Sequence, residues 1–115
     1  MKNKREIGKL LEEYVSELFK EIYPYARPTK ASGARGEHGD VQQPYFIIEC
    51  KSRSTENITI KEKVWNKLYN ELPISTKRLP LYILRNKNNK QWAVLQLEDF
   101  IKIFKKSIKN ENNPQ

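Results

Sequence analysis

Asp40, Glu49 and Lys51 surround the most apolar strand-like segment of the chain, Tyr45-Phe46-Ile47-Ile48, within the stretch GDVQQPYFIIECKSR. If Asp40–Gln42 and Phe46–Lys51 form a hairpin that turns at Pro44, Val41 lies opposite Ile48 and Asp40 opposite Glu49. Directly opposed residues of an antiparallel pair project from one face, with Cβ atoms roughly 4.5–5.5 Å apart. Lys51, two residues beyond Glu49, shares that face. Two carboxylates set against each other destabilise a sheet. A hard divalent cation removes the conflict, because Mg²⁺ takes oxygen ligands and needs only one or two carboxylates beside water and phosphate. A neighbouring lysine supplies a compact positive charge that orients a water and stabilises charge developing on a phosphate. The chemistry this suggests is metal-dependent phosphodiester hydrolysis. The plainer reading is a solvated, charged strand end. Against it, Glu49-Cys50-Lys51 is the only Glu-x-Lys in the chain and closes its most apolar strand.

The elements that must position these groups follow from apolar spacing. Ile7, Leu10, Leu11, Tyr14, Val15, Leu18 and Ile22 recur at helical intervals, which predicts a helix from Arg5 to Tyr23 with one buried stripe, stopped by Pro24. Glu12 falls at the margin of that stripe, Glu13 points away from it, and Gly8 lies one turn before Glu12. A glycine inside a helix costs up to about 1 kcal/mol relative to alanine. Gly8 therefore either admits a close approach, such as a phosphate backbone, or marks a frayed first turn beside a boundary carboxylate. Tyr25–Pro28 is a candidate edge strand, and Thr29–Gly39 a basic, glycine-bearing loop. Asn57 or Thr59 is placed to cap a second helix, Ile60–Leu72, before Pro73. LPLYILRN and KQWAVLQL flank the turn NKNNK as a second hairpin, in which Trp92 alternates with Val94 as a core residue. A third helix runs from Glu98 to about Lys109, its acidic start and basic end matching the helix dipole. The fold class expected is α/β, a small mixed sheet flanked by helices. At 115 residues the chain is one domain, taken as residues 1–110, with 111–115 a frayed tail.

Lys and Arg number 22 against 14 Asp and Glu, a formal charge of +8, and the pI is ≈ 9.6. Such an excess calls for a polyanionic partner. The apolar runs, such as Leu81–Leu84, are far too short to span a membrane, and MKNKREIGKLLEEY has the pattern of a helix rather than of a signal peptide. An intracellular setting and a nucleic acid are the expectation. A single cysteine, Cys50, excludes an internal disulfide and a cysteine-based zinc cluster. Arg27, Lys30, Arg35, Arg53 and Lys61 gather in sequence around the proposed site as candidate phosphate contacts. His38, the lone histidine, lacks partners for zinc chemistry and reads as a surface residue.

Taken together, GKLLEEYV in the first helix, ASG in the basic loop, GDV opening a strand and IIECKSR closing the next resemble the PD-(D/E)XK nuclease superfamily. Within it, the chain resembles the archaeal-type Holliday junction resolvases, including phage-borne relatives. The order of the later elements extends the likeness over nearly the whole chain, though the C-terminal half is generic. The resemblance implies a restriction-endonuclease-like nuclease core and Mg²⁺ as cofactor, with Mn²⁺ able to substitute. It implies that Asp40 and Glu49 hold the metal and that Lys51 is the catalytic lysine. Cys50 takes the position that lends its backbone carbonyl to the metal, Glu12 that of the first-helix glutamate and possible additional ligand, and Ser32 that of a loop serine near DNA. The hairpin between Asp40 and Glu49 is shorter than in many archaeal members, which bears on junction specificity.

The function expected is a structure-selective endonuclease that resolves four-way junctions in DNA recombination and repair. Alternatives are another nuclease of the superfamily acting on flaps, ends or duplex DNA, and a non-catalytic DNA-binding domain. A four-way junction has paired strands to cut, so a homodimer is expected, as the resemblance also implies. In the second helix Ile60, Val64 and Leu68 make one apolar row and Trp65, Tyr69 and Leu72 another. One row can face the sheet, which places Trp65 and Tyr69 at a subunit interface unless the third helix covers them.

Overall fold

The structure is a computed structural model, and it describes residues 4–30, 38–72 and 77–112. Its elements run α1 (Lys4–Phe19), β1 (Arg27–Pro28), β2 (Val41–Gln42), β3 (Phe46–Ser52), α2 (Glu62–Glu71), β4 (Leu79–Arg85), β5 (Gln91–Val94) and α3 (Leu97–Asn112). The mixed α/β class expected from the sequence is present. Two small sheets carry it, a β1-β2 pair and a three-stranded sheet in the order β3-β4-β5.

β3 and β4 are parallel, with Glu49 against Tyr82 and Lys51 against Leu84, and β5 turns back antiparallel on β4. The expected second hairpin is therefore present. Asn86 holds its turn through a carboxamide oxygen that accepts the backbone N–H groups of Asn88 and Lys90. β3 and β4 are covered on both faces, the usual state of parallel strands. On one face Ile48, Cys50, Leu81 and Ile83 pack with Val41 and with Leu11 and Val15 of α1. On the other, Ile47, Tyr82 and Leu84 pack with Val64, Trp65 and Leu68 of α2. Alternation along β3 thus sends Glu49 and Lys51 toward the α2 side and Cys50 toward α1.

The expected hairpin between Asp40–Gln42 and Phe46–Lys51 does not form as a ladder. β2 pairs instead with β1, Arg27 against Gln42 and Pro28 against Val41. The turn between β2 and β3 is built around a buried side chain. Gln43 Oε1 accepts the N–H groups of Tyr45 and Phe46, both at 2.8 Å, and Gln43 Nε2 donates to the carbonyls of Val41 and Phe46. Asp40 is joined to β3 by one backbone bond, Asp40 N–H to the Ile48 carbonyl at 2.6 Å, and by its carboxylate, which accepts Cys50 N–H. Gly39 makes this possible. Its φ is +77°, and a Cβ there would stand 2.8–2.9 Å from the backbone of Ile48, so only glycine lets the chains approach.

Other expectations shift for physical reasons. α1 stops at Phe19 rather than Tyr23, and only Leu11 and Val15 of its apolar stripe are buried; Ile7, Leu10, Tyr14, Leu18 and Ile22 are exposed. α2 begins after Lys61 with no side-chain cap, so neither Asn57 nor Thr59 serves. Trp65 is only 8 % exposed and meets the Tyr82 ring edge-on at 6.0 Å. Its placement at a subunit interface is overturned, because the buried stripe of α2 is wide enough to take in both Val64 and Trp65. Tyr69 is exposed, and its hydroxyl donates to Gln96 Oε1 at 2.6 Å. Trp92 is 44 % exposed rather than core, because its side of β5 opens onto a groove it shares with Ile58, Ile60 and Phe100. α3 continues through Asn112, into the segment read as a tail.

Candidate active site

Glu12, Asp40, Glu49, Cys50 and Lys51 line one cleft of ≈ 1180 Å³. Four elements bring them there. α1 supplies Glu12 from the edge of the face that buries Leu11 and Val15, and Glu13 beside it is exposed. Asp40 stands at the entry to β2, and Glu49 to Lys51 end the buried run of β3. α2 contributes Lys67, which packing across the sheet brings over Glu49.

Asp40 is held at three points. Its N–H goes to Ile48, its carbonyl accepts Thr29 N–H at 3.0 Å, and its Oδ2 accepts Cys50 N–H at 2.7 Å. Glu49 is 3 % exposed, and a buried carboxylate must be paired. Lys51 Nζ lies 3.3 Å from Glu49 Oε1 and Lys67 Nζ 3.6 Å from Oε2, so each oxygen has its own ammonium group.

The acids feel one another. Burial pushes Glu12 up to about 7, with the charges of Asp40 and Glu49 adding to the rise and Lys51 opposing it. Burial also raises Asp40 to about 6, reinforced by Glu49 and offset by the Cys50 N–H, Lys67 and Lys51. Burial holds the Cys50 thiol well above its ordinary range, which keeps it protonated and leaves its backbone as its contribution to the cleft. Among the described residues, no three His, Cys, Asp or Glu side chains stand close enough to form a ready-made cation cage. Protein donors already engage Asp40 and Glu49. The donor set nevertheless suits a hard divalent cation: it is all carboxylate and carbonyl oxygen, and its mutual repulsion is what such an ion would relieve.

The rim is basic. Lys30, Arg53 and Lys67 line the cleft with Lys9. Of the expected phosphate contacts, Lys30 and Arg53 are thus at the site. Arg27 lies in β1 outside the cleft lining, with Nη1 donating to the Pro28 carbonyl, and Lys61 sits at the start of α2 away from it. Ser32 and Arg35 lie outside the described residues. His38 is not part of the lining, and its carbonyl accepts from Gln42. Lys67 and Lys9 carry no local signal in the sequence. Lys67 could be found only by knowing that α2 crosses β3. Lys9 follows Gly8 on the turn before Glu12, where it reads as one more surface lysine.

Comparison of the chain with models of known protein families, with curated proteins and with solved structures finds no match in any of the three. Among the described residues, no helix is long and apolar enough to cross a membrane.

Proposed function

We propose that the chain is a divalent-metal-dependent endonuclease that cuts branched DNA, with four-way junctions as its substrate and a second copy acting on the paired strand. The observation that carries the reading is the convergence of Glu12, Asp40, Glu49 and Lys51 in one cleft, where burial and their own repulsion raise two of the acids. Asp40, Glu49 and the Cys50 carbonyl would hold Mg²⁺ or Mn²⁺, with Glu12 near enough to take part. The ion supplies Lewis-acid stabilisation of the phosphate and a more acidic water. Lys51 places a positive charge beside Glu49, where it orients a water and balances charge on the phosphate. Lys9, Lys30, Arg53 and Lys67 hold the DNA backbone along the rim. The choice of junctions among DNA substrates rests on the likeness of GKLLEEYV, ASG, GDV and IIECKSR to the resolvase pattern.

A second reading, a non-catalytic DNA-binding domain, is favoured by one observation: lysines occupy both oxygens of Glu49. Cleavage of labelled junction, flap and duplex DNA with and without Mg²⁺ separates the readings. Junction cutting that needs metal and is lost in Glu49→Gln and Lys51→Ala, with DNA binding retained, is the expected result. Cutting of flaps or duplex alone moves the substrate within the same chemistry. Binding without cutting in either Mg²⁺ or Mn²⁺ leaves the binding domain.

A further inference from the structure

Helix α3 is attached to its own domain by its polar side and leaves its apolar side open. Asp99 is the one buried residue among its described side chains. Its carboxylate accepts the Tyr69 hydroxyl at 3.4 Å and lies 3.9 Å from Lys102 Nζ. Leu97, Phe100, Ile101, Phe104 and Ile108 are 39–73 % exposed. At 3.6 residues per turn they fall within an arc of about 100°. The Phe100 and Phe104 rings stack at 6.0 Å. At its start the row runs into a groove of ≈ 650 Å³ walled by Ile58, Ile60 and Trp92. α2 meets α3 at its start, where Tyr69 bonds Gln96 and Asp99. A 16-residue helix without packing is marginal in water, and an apolar row of this extent marks an interaction surface.

The charges select the occupant. Glu98, Lys105 and Lys109 lie along one flank of the row, acid at the start and base toward the end. The opposite flank carries Ile103, Ser107 and Asn110 and has no charge. Two helices packed antiparallel across a two-fold axis bring each flank against its own copy, whereas parallel packing brings unlike flanks together. Only the antiparallel arrangement sets Glu98 beside Lys105 of a second copy, and the same register lays Phe100 against Phe104 of that copy. A lipid surface would instead press Glu98 and Glu111 toward anionic headgroups.

We propose that α3 is a dimerisation helix, pairing antiparallel with α3 of a second copy through Leu97, Phe100, Ile101, Phe104 and Ile108. The pairing gives a place to the second copy that the proposed function calls on, and its test is separate from that of the chemistry, since it is read out as mass and not as cleavage.

Sedimentation and light scattering of the free chain at micromolar concentration test it. The wild type is expected to be a dimer, and Phe104→Glu a monomer with the circular dichroism of a folded domain. Glu98→Lys should weaken the dimer by about tenfold or more, roughly 1.4 kcal/mol. The exchange Glu98→Lys with Lys105→Glu should recover it, and that recovery does not depend on how well Phe104→Glu folds. A wild-type monomer overturns the proposal, whether or not it binds phosphatidylglycerol vesicles. So does a double exchange no tighter than Glu98→Lys alone.

Discussion

The carboxylate of Asp40 accepts the backbone N–H of Cys50 at 2.7 Å, one step beyond the point where Asp40 N–H meets the Ile48 carbonyl. A side chain thus supplies the rung that a longer β2 would have supplied from its backbone. The residue that fixes the strand is also one of the acids of the cleft, so its structural and chemical roles can be separated by choice of substitution.

Asp40→Asn retains an oxygen acceptor for Cys50 N–H and removes the charge. Its unfolding midpoint in metal-free buffer should be no lower than that of the wild type, while Mg²⁺-dependent cleavage is lost. Asp40→Ala leaves a buried N–H without a partner and should cost about 1–3 kcal/mol in denaturant unfolding. Equal destabilisation by the two variants would contradict the assigned hydrogen bond.

Glu12 reaches the cleft and Glu13 does not. Glu12→Gln should lower the cleavage rate by at least about tenfold, roughly 1.4 kcal/mol of transition-state stabilisation. Glu13→Gln should cut at the wild-type rate. Single-turnover kinetics on a labelled junction measure both, and equal losses would remove Glu12 from the site.

Stability without metal should fall as pH rises. Glu12 is raised to about 7 from 4.5 and Asp40 to about 6 from 3.8. Between the ordinary and the raised values the folded chain binds more protons than the unfolded one, so unfolding becomes easier with increasing pH. The loss starts near pH 4 and is complete once pH passes about 7. Thermal unfolding from pH 5 to 8 should show a declining Tm, and Mg²⁺ should flatten the decline while releasing protons on binding near neutral pH. A Tm that rises over this range in metal-free buffer would contradict the raised acids.

Lys67 pairs with Glu49 and opposes the rise of Asp40. In Lys67→Ala the acid limb of the pH–rate profile should move to higher pH, and Lys67→Arg should move it back. A drop in rate with an unmoved profile would reduce Lys67 to a phosphate contact.

Binding should weaken steeply with salt, because a +8 chain with a lysine- and arginine-lined cleft releases counterions from DNA. Fluorescence anisotropy between about 50 and 200 mM salt, the range where such contacts dominate, should give a linear log–log decline. A flat line would exclude phosphate-dominated binding.

The parts of this molecule visible in the sequence are those set by local spacing. Alternation placed Glu49 and Lys51 on one face of a strand, and helical periodicity separated Glu12 from Glu13. The β4–β5 hairpin announced itself through Asn-rich turn chemistry around residues 86–90. What escaped is set by long-range pairing. Nothing near Phe46–Ser52 marks β4 as its parallel neighbour, and β2 found β1 because Gln43 shaped a turn that no ladder required. Trp65 misled because two apolar rows on a helix and one broad stripe have the same pattern; only the sheet beneath decides between them. Lys67 escaped with it, since its reach to Glu49 exists only once α2 lies across β3.

α2 carries Lys67 on one flank of its buried stripe and Tyr69 on the other. The first touches Glu49 in the cleft, and the second bonds Gln96 and Asp99 at the start of α3. Two positions on one rigid rod therefore tie the acidic cleft to the outlying helix. Any tilt of α2 that draws Lys67 away from Glu49 also displaces the Tyr69 hydroxyl against Asp99. The short helix is a mechanical linkage between the acidic cleft and the start of α3.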